Sequence, residues 1–496
     1  MKERMRKNYK ALFFAGLAVC AALLLFSAFA PEEQMLRLFA VSTGAYLAFC
    51  CAFALLFRTA KPERRFAALA LLLGTAYLFV VTPLAVPDEY HHYRMSLTFS
   101  NYLLFHRGDP LSVPAALLDQ AGFAQHKNVS AGYVRVLEEL LAPLAAGKSA
   151  STELPAGGYP LFYLPQTLGV TLGRLLGRGM VGTFLPGRLG NLLFYTGCVY
   201  YSVRRAPKYK TVLGVTALLP MALQQAASFS YDAFTNGMAF CFTAELLYAM
   251  YGEGAMTNKD LLRLLLAGVL LAPAKAAYVT MLPLVYLAPA ARFGGKRDKR
   301  RAAALLLLAA AVFLALVYLP GLPDRAADPD ALNWEGGHNY TPAWALAHPG
   351  QTARIFARSL LDRTPSWAFT SVGGILGGTS LILPFWIPLG LLILAWLSAG
   401  EAGDSPARAV RASFLFSAFA TALLFLVTMF FTWTSDDRTI IQGVQGRYFL
   451  PVLPLVMIAL RWRLPGERDL RRYFPPAMAA ANAVCLWLLF QYTLSH

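Results

Sequence analysis

The chain is poor in charge, and acids are its scarcer sign. Only 14% of its 496 residues are Asp, Glu, Lys or Arg, with 27 acids against 44 bases. A soluble globular domain carries about 25%. With 57% hydrophobic residues and a mean hydropathy of +0.49, there is too little polar side chain to cover a water-soluble fold of this length. Cysteine is sparse too. Cys20, Cys50, Cys51, Cys198, Cys241 and Cys485 all fall inside apolar runs and form no CxxC pair, which points to packing and not to a disulfide framework. HExxH and comparable ligand sets are missing, which counts against a membrane-embedded metallohydrolase. No basic soluble module is present to direct the net charge of +17 toward nucleic acid.

What the chain does have is many apolar runs, each near the roughly 20 residues a bilayer-spanning helix needs. In lipid only helices and closed barrels satisfy the backbone, and runs this uniformly apolar are helical. An all-α, polytopic integral membrane protein with about 11–13 transmembrane helices is therefore predicted. Lys and Arg cluster in short turns between the runs, at Lys2–Lys10, Arg58–Arg65, Arg204–Lys210 and Arg292–Arg301. Those turns mark the cytoplasmic face. The opening MKERMRKNYK and the apolar stretch to Ala30 mimic a signal peptide. Pro31 directly after hinders cleavage, so a retained first helix over about 11–29 is expected.

The same charge walk divides the chain into three transmembrane helices (1–85), a first extracytoplasmic segment with surface helices (86–182), central transmembrane helices (183–320), a second extracytoplasmic segment (321–380) and C-terminal transmembrane helices (381–496). Within the central part a single span is expected over 211–229. Two short runs, 261–274 and 276–291, meet at Pro273 and Lys275 as an out-and-back pair. No repeated halves of the kind found in transporters are visible.

Four constellations carry chemistry, all expected on the outer face. In Pro87-Asp88-Glu89-Tyr90-His91-His92-Tyr93-Arg94, Pro87 can start a helix with acids in its first turn, where the dipole favours them. The functional alternative is a general base, with a metal held by Asp88 and His91 or His92, which share a helical face at i, i+3 or i, i+4. Tyr231 and Asp232 follow Ser228-Phe229-Ser230 at a helix junction, either as a capping turn or as a second carboxylate facing the same cavity. Lys275, beside Pro273, either snorkels to headgroups or serves as a cation for an anionic substrate group in a polar cavity. Gln442-Gly443-Val444-Gln445-Gly446-Arg447 forms a Gly-rich entrance where Arg447 can grip phosphate or a lipid headgroup. Glu245, an isolated acid, lies near the cytoplasmic end of its run, where it reaches that interface or relays protons.

In order along the chain, PDEYHHYR, GYPLFYLPQTLGVTLGRLLG, PGRLGNLLFY, LLPMALQQAASFSYDAFTNG, APAKAAYV and QGVQGRYFLPVLPLV resemble the bacterial membrane family known as domain of unknown function 2142. That family is placed in the GT-C glycosyltransferase superfamily. The resemblance implies transfer of a sugar from a polyprenyl-phosphate donor to a cell-envelope glycan or lipid-linked acceptor, at the outer face of the bacterial cytoplasmic membrane. It also implies catalytic acids in the first outer loop, which here are Asp88 and Glu89. Two extra helices precede them compared with many superfamily members. Asp88 is then the expected base, with Glu89 its orienting partner or a metal ligand. Lys275 and Arg447 would bind phosphate, while Asp232, Tyr231, His92 and Gln445 shape the substrate pocket. A divalent metal is a possible cofactor, and membrane lipid but no nucleic acid an expected partner. The competing expectation is a flippase or transporter of a lipid-linked saccharide.

Overall fold

The computed structural model describes residues 32–57, 60–106, 159–176, 180–319, 337–377, 381–400, 405–462 and 470–495, with short pieces at 16–19, 21–22, 111–113 and 148–150. Most of the expected first helix, the amphipathic VRVLEELLAPL stretch and residues 320–336 lie outside the described residues.

The described chain is almost wholly helical. Its helices are α1 (Glu32–Leu56), α2 (Pro62–Val80), α3 (Glu89–Leu103), α4 (Pro160–Leu175), α5 (Met180–Arg205), α6 (Lys210–Ala217), α7 (Pro220–Ala226), α8 (Asp232–Tyr251), α9 (Asn258–Leu271), α10 (Lys296–Tyr318), α11 (Pro342–Ala347), α12 (Pro349–Val372), α13 (Trp386–Leu397), α14 (Arg408–Thr432), α15 (Leu453–Ala459) and α16 (Phe474–Ser495). There are also 3₁₀ helices at Ala276–Leu287, Ala290–Phe293 and Gly446–Phe449 and two short antiparallel ladders, β1 (Leu111–Val113) with β2 (Lys148–Ala150) and β3 (Ile375–Leu376) with β4 (Leu381–Ile382). Proline opens α2, α4, α7, α11 and α12. Its fixed φ suits the first turn, where its missing N–H costs nothing.

Helix α5 is the hub, packed by α2, α4 and α8. α8 is buried around nearly its whole circumference, as a helix with no polar face must be. α4 crosses α5 closely: a Cβ on Gly169 or Gly173 would overlap the carbonyls of Pro186 and Gly182. The other side of α4 leaves Leu164, Leu168, Leu172 and Leu175 uncovered by protein.

Four described helices are long and apolar enough to cross a membrane, over Arg37–Leu56, Lys296–Tyr318, Arg408–Thr432 and Phe474–Tyr492. The other described helices are shorter or more polar. Protein shields the interior helices, so lipid does not demand unbroken apolar helix of them. The expected span over 211–229 is broken into α6 and α7. Pro220 has no N–H and its ring clashes with the preceding turn. The expected helix from 276 is a 3₁₀ helix, Ala276–Leu287, with Pro283 inside. Its rise of about 2.0 Å per residue stretches twelve residues over about 24 Å, so a short segment covers most of a bilayer's thickness.

The out-and-back pair is present. α9 starts beside Arg205, which pairs with Asp260 at 2.6 Å, and leads to Lys275, which pairs with Asp232 at the start of α8. The 3₁₀ segment then returns to Arg292, which donates to the Tyr248 carbonyl near the end of α8. The bundle thus has two chemically distinct ends. Arg205, Glu245, Asp260, Arg263 and Arg292 meet at one end, and Asp88, Glu89, Arg188, Asp232, Lys275 and Arg447 at the other. Along α5, Arg188 and Arg205 lie about 25 Å apart at 1.5 Å per residue. Glu245 is taken up by Arg205 and by the Tyr201 hydroxyl, an interhelical tie at the basic end.

Candidate active site

The two adjacent acids of the sequence motif part company. Asp88 is the residue before α3 and takes a left-handed backbone, φ 64° and ψ 5°. Among non-glycine residues Asp and Asn tolerate this conformation best. The turn leaves the Asp88 side chain 61% exposed and puts its Oδ2 3.1 Å from Nη2 of Arg447. Glu89, the first residue of α3, is fully buried.

The Glu89 carboxylate is committed to Arg188. Nε and Nη2 of the arginine donate to its two oxygens at 2.8 and 2.7 Å, and the Phe229 N–H donates to Oε1 at 2.9 Å. The remaining guanidinium protons go to the carbonyls of Leu78, Val81 and Thr82. All five donors of Arg188 are thus used. The pair ties the end of α2, the start of α3, helix α5 and the turn before α8 into one clamp. Glu89 therefore holds the motif in place, and its oxygens are not offered to a cavity. Arg188 was not singled out in the sequence. Its signal was there: an arginine within an apolar run marks a site by default.

Asp88 is joined to three other candidates. Arg447 bridges it to Asp232, with Nε 3.3 Å from Asp232 Oδ2. Asp232 Oδ1 accepts from Lys275 Nζ at 2.6 Å. Lys275 lies over the Tyr448 ring at 3.9 Å and the Tyr231 ring at 5.2 Å, which adds cation–π attraction. Arg447, Lys275 and Asp232 are largely buried. The result is a chain of alternating sign, Asp88–Arg447–Asp232–Lys275, with one open end at Asp88.

Local sequence explains the placement. A Cβ on Gly446 would meet Thr370 Oγ1 and lie 2.6 Å from the Ser371 nitrogen, so glycine lets the 3₁₀ turn Gly446–Phe449 press onto α12. The Trp367 indole N–H donates to the Val444 carbonyl at 3.2 Å, and the Tyr278 hydroxyl to the Tyr448 carbonyl at 2.9 Å. Lys275 sits between α9 and the 3₁₀ segment, where Pro273 interrupts the helix.

His92 is buried against Tyr231, edge to face at 5.2 Å, and its Nδ1 lies 3.0 Å from the Tyr163 hydroxyl. Burial pushes the imidazole down to about 3, against the opposing pull of the Asp88 carboxylate, so it is neutral. Burial also lowers His91, again against Asp88. Among the described residues no three His, Cys, Asp or Glu side chains are grouped to hold a metal ion. With Nδ1 of His92 directed to Tyr163, the Asp88–His91/His92 pairing has no third protein ligand there. Gln445 and Arg447 line a cavity of about 290 Å³ whose wall also includes Pro87, next to Asp88.

The alternation of apolar helices with buried charge at two ends defines a helical, multi-pass membrane protein. The chain belongs to the family described as predicted membrane protein, DUF2142, whose model matches residues 144–456. The match takes in Arg188, Asp232, Lys275 and Arg447 and begins after Asp88 and Glu89. No curated protein and no solved structure matches the chain.

Proposed function

We propose that the chain is a GT-C-type glycosyltransferase of the bacterial cytoplasmic membrane, moving a sugar from a polyprenyl-phosphate donor to a cell-envelope glycan or lipid-linked acceptor on the outer side. The observation that carries this is the exposed carboxylate of Asp88 at the end of a chain containing two cations, Arg447 and Lys275. Transfer needs a base at the acceptor hydroxyl and cations at the departing phosphate, and both lie within one ion-pair network. The acceptor oxygen bonds to the anomeric carbon and its proton goes to Asp88. The bond from that carbon to the phosphate oxygen breaks, and its electron pair stays on the phosphate beside Arg447 and Lys275. Asp232 keeps both cations in position through its two oxygens. Tyr231, Tyr448 and His92 form the uncharged walls.

Broken helices at Pro220 and Pro273 favour a second reading, a flippase for a lipid-linked saccharide, because transporters build their sites on such breaks. Incubating the purified protein with labelled polyprenyl-phosphate sugar and an acceptor glycan separates the two. A transferase releases polyprenyl phosphate as the labelled glycan appears, and a flippase releases none. Asp88→Asn is expected to slow transfer by about 10²–10⁴-fold at an unchanged melting temperature, since Asp88 is open to solvent. Full activity in both Asp88→Asn and Asp88→Ala would remove it as the base.

A further inference from the structure

The cavity beside the Asp88–Arg447 pair has a lining of its own. Two arginines, Arg363 and Arg447, and several glutamines face it, among them Gln225, Gln442 and Gln445, and among the described residues no acid does. Arg363, on α12, is half-buried and has no ion-pair or hydrogen-bond partner among the described residues. The neighbouring acid Asp362 is paired with Arg358 at 3.4 Å. Gln225 is 1% exposed, and its Oε1 has no hydrogen-bond partner there, an uncommon state for a buried amide. Trp367 gives the cavity an apolar wall. Its own N–H is bonded to Val444.

We infer that this cavity is a subsite for one anionic sugar residue, a hydroxyl-rich ring bearing a carboxylate or a phosphate. Arg363 takes the charge, because it is half-buried in the lining and has no ion-pair partner among the described residues. The glutamines, with donors and acceptors on each amide, take the hydroxyls, and Trp367 takes an apolar face of the ring. The volume of about 290 Å³ lies at the small end of ligand sites, roughly 300–1,000 Å³, which fits a single ring and not a chain. In the transferase this subsite would select the substrate sugar placed next to Asp88, and that role rests on the transferase reading. The binding itself does not.

The test is direct binding to the detergent-purified full chain, by saturation-transfer NMR, with galacturonate, glucose 1-phosphate, galactose and inorganic phosphate as probes. At least one charged sugar is expected to bind about tenfold more tightly than galactose, as a charge-assisted hydrogen bond implies, and more tightly than inorganic phosphate. Preference for galacturonate identifies a sugar carboxylate as the charge, and preference for glucose 1-phosphate a sugar phosphate. Arg363→Gln should abolish the preference and leave galactose binding in place, and Arg363→Lys should retain most of it. Galactose binding as tightly as both charged sugars, inorganic phosphate binding as tightly as either, or a preference that survives Arg363→Gln would overturn the proposal. The binding assay contains no donor and so does not depend on transfer: charged-sugar preference here, together with no release of polyprenyl phosphate in the donor–acceptor assay, would count against the transferase alone. Transfer without charge preference would count against the subsite alone.

Discussion

Replacing Glu89 by Gln changes one atom and removes one charge, in a clamp with no solvent on either side. Both partners are fully buried. In Glu89→Gln the new amide NH₂ faces either the Nη2 or the Nε protons of Arg188, so a donor opposes a donor whichever way the amide turns. The guanidinium charge is also left without its counter-ion. Removing one partner of a buried pair costs about 3–5 kcal/mol. Three carbonyl contacts to Arg188 remain, which places the expected cost near the lower figure, about 3 kcal/mol. Thermal unfolding of the detergent-purified variant, scanned at one fixed rate, should show a melting temperature lower by several degrees. Arg188→Gln alone should be comparably damaging. The double variant should cost less than the sum of the two by about 2 kcal/mol, since each single change leaves the other partner stranded. A Glu89→Gln protein that melts like the wild type yet has lost transfer would refute the reasoning. The carboxylate would then be acting in the chemistry and not holding the fold.

Two further outcomes follow from the geometry around the site. Burial holds the native His92 imidazole near 3 against about 6.5 in the unfolded chain, so the native state binds fewer protons between those values. Stability is then complete above about pH 6.5 and falls as the pH drops toward 3, by about 2 kcal/mol at pH 5. Melting curves at pH 7.5 and 5 should differ less in His92→Gln than in the wild type, and an equal difference would contradict the assignment. Gly169→Ala drives a methyl into the Pro186 carbonyl, and strain of this kind costs about 1–3 kcal/mol. An unchanged melting temperature would mean that α4 and α5 can part without loss.

Much was already legible in composition. Few charges, long apolar runs and basic turns are local properties, and a bilayer acts on each run separately, so helical class and the grouping of basic turns follow without tertiary detail. The out-and-back pair around Lys275 was legible for the same reason: Pro273 interrupts helix, and basic residues close the second arm. The break at Pro220 carried an equally plain local signal, which the apolarity of its surroundings outweighed. Interior helices shielded by protein do not obey the lipid's demand for unbroken apolar length, so a run-by-run reading misses breaks such as the one between α6 and α7.

The candidate residues divide along the same line. The sequence by itself determined that Asp88, Asp232, Lys275 and Arg447 are rare charges near helix ends. Only the tertiary structure decided that they form one chain of pairs, because Asp88 and Arg447 lie 359 positions apart. It also decided between neighbours. Asp88 precedes α3 in a left-handed turn and Glu89 opens the helix, so one carboxylate meets Arg447 and the other Arg188. Arg188, brought in by α5, took the inward carboxylate and left the outward one open. Which of two adjacent acids is held and which is left open depends on a third residue from a distant helix, and nothing local to the motif encodes that.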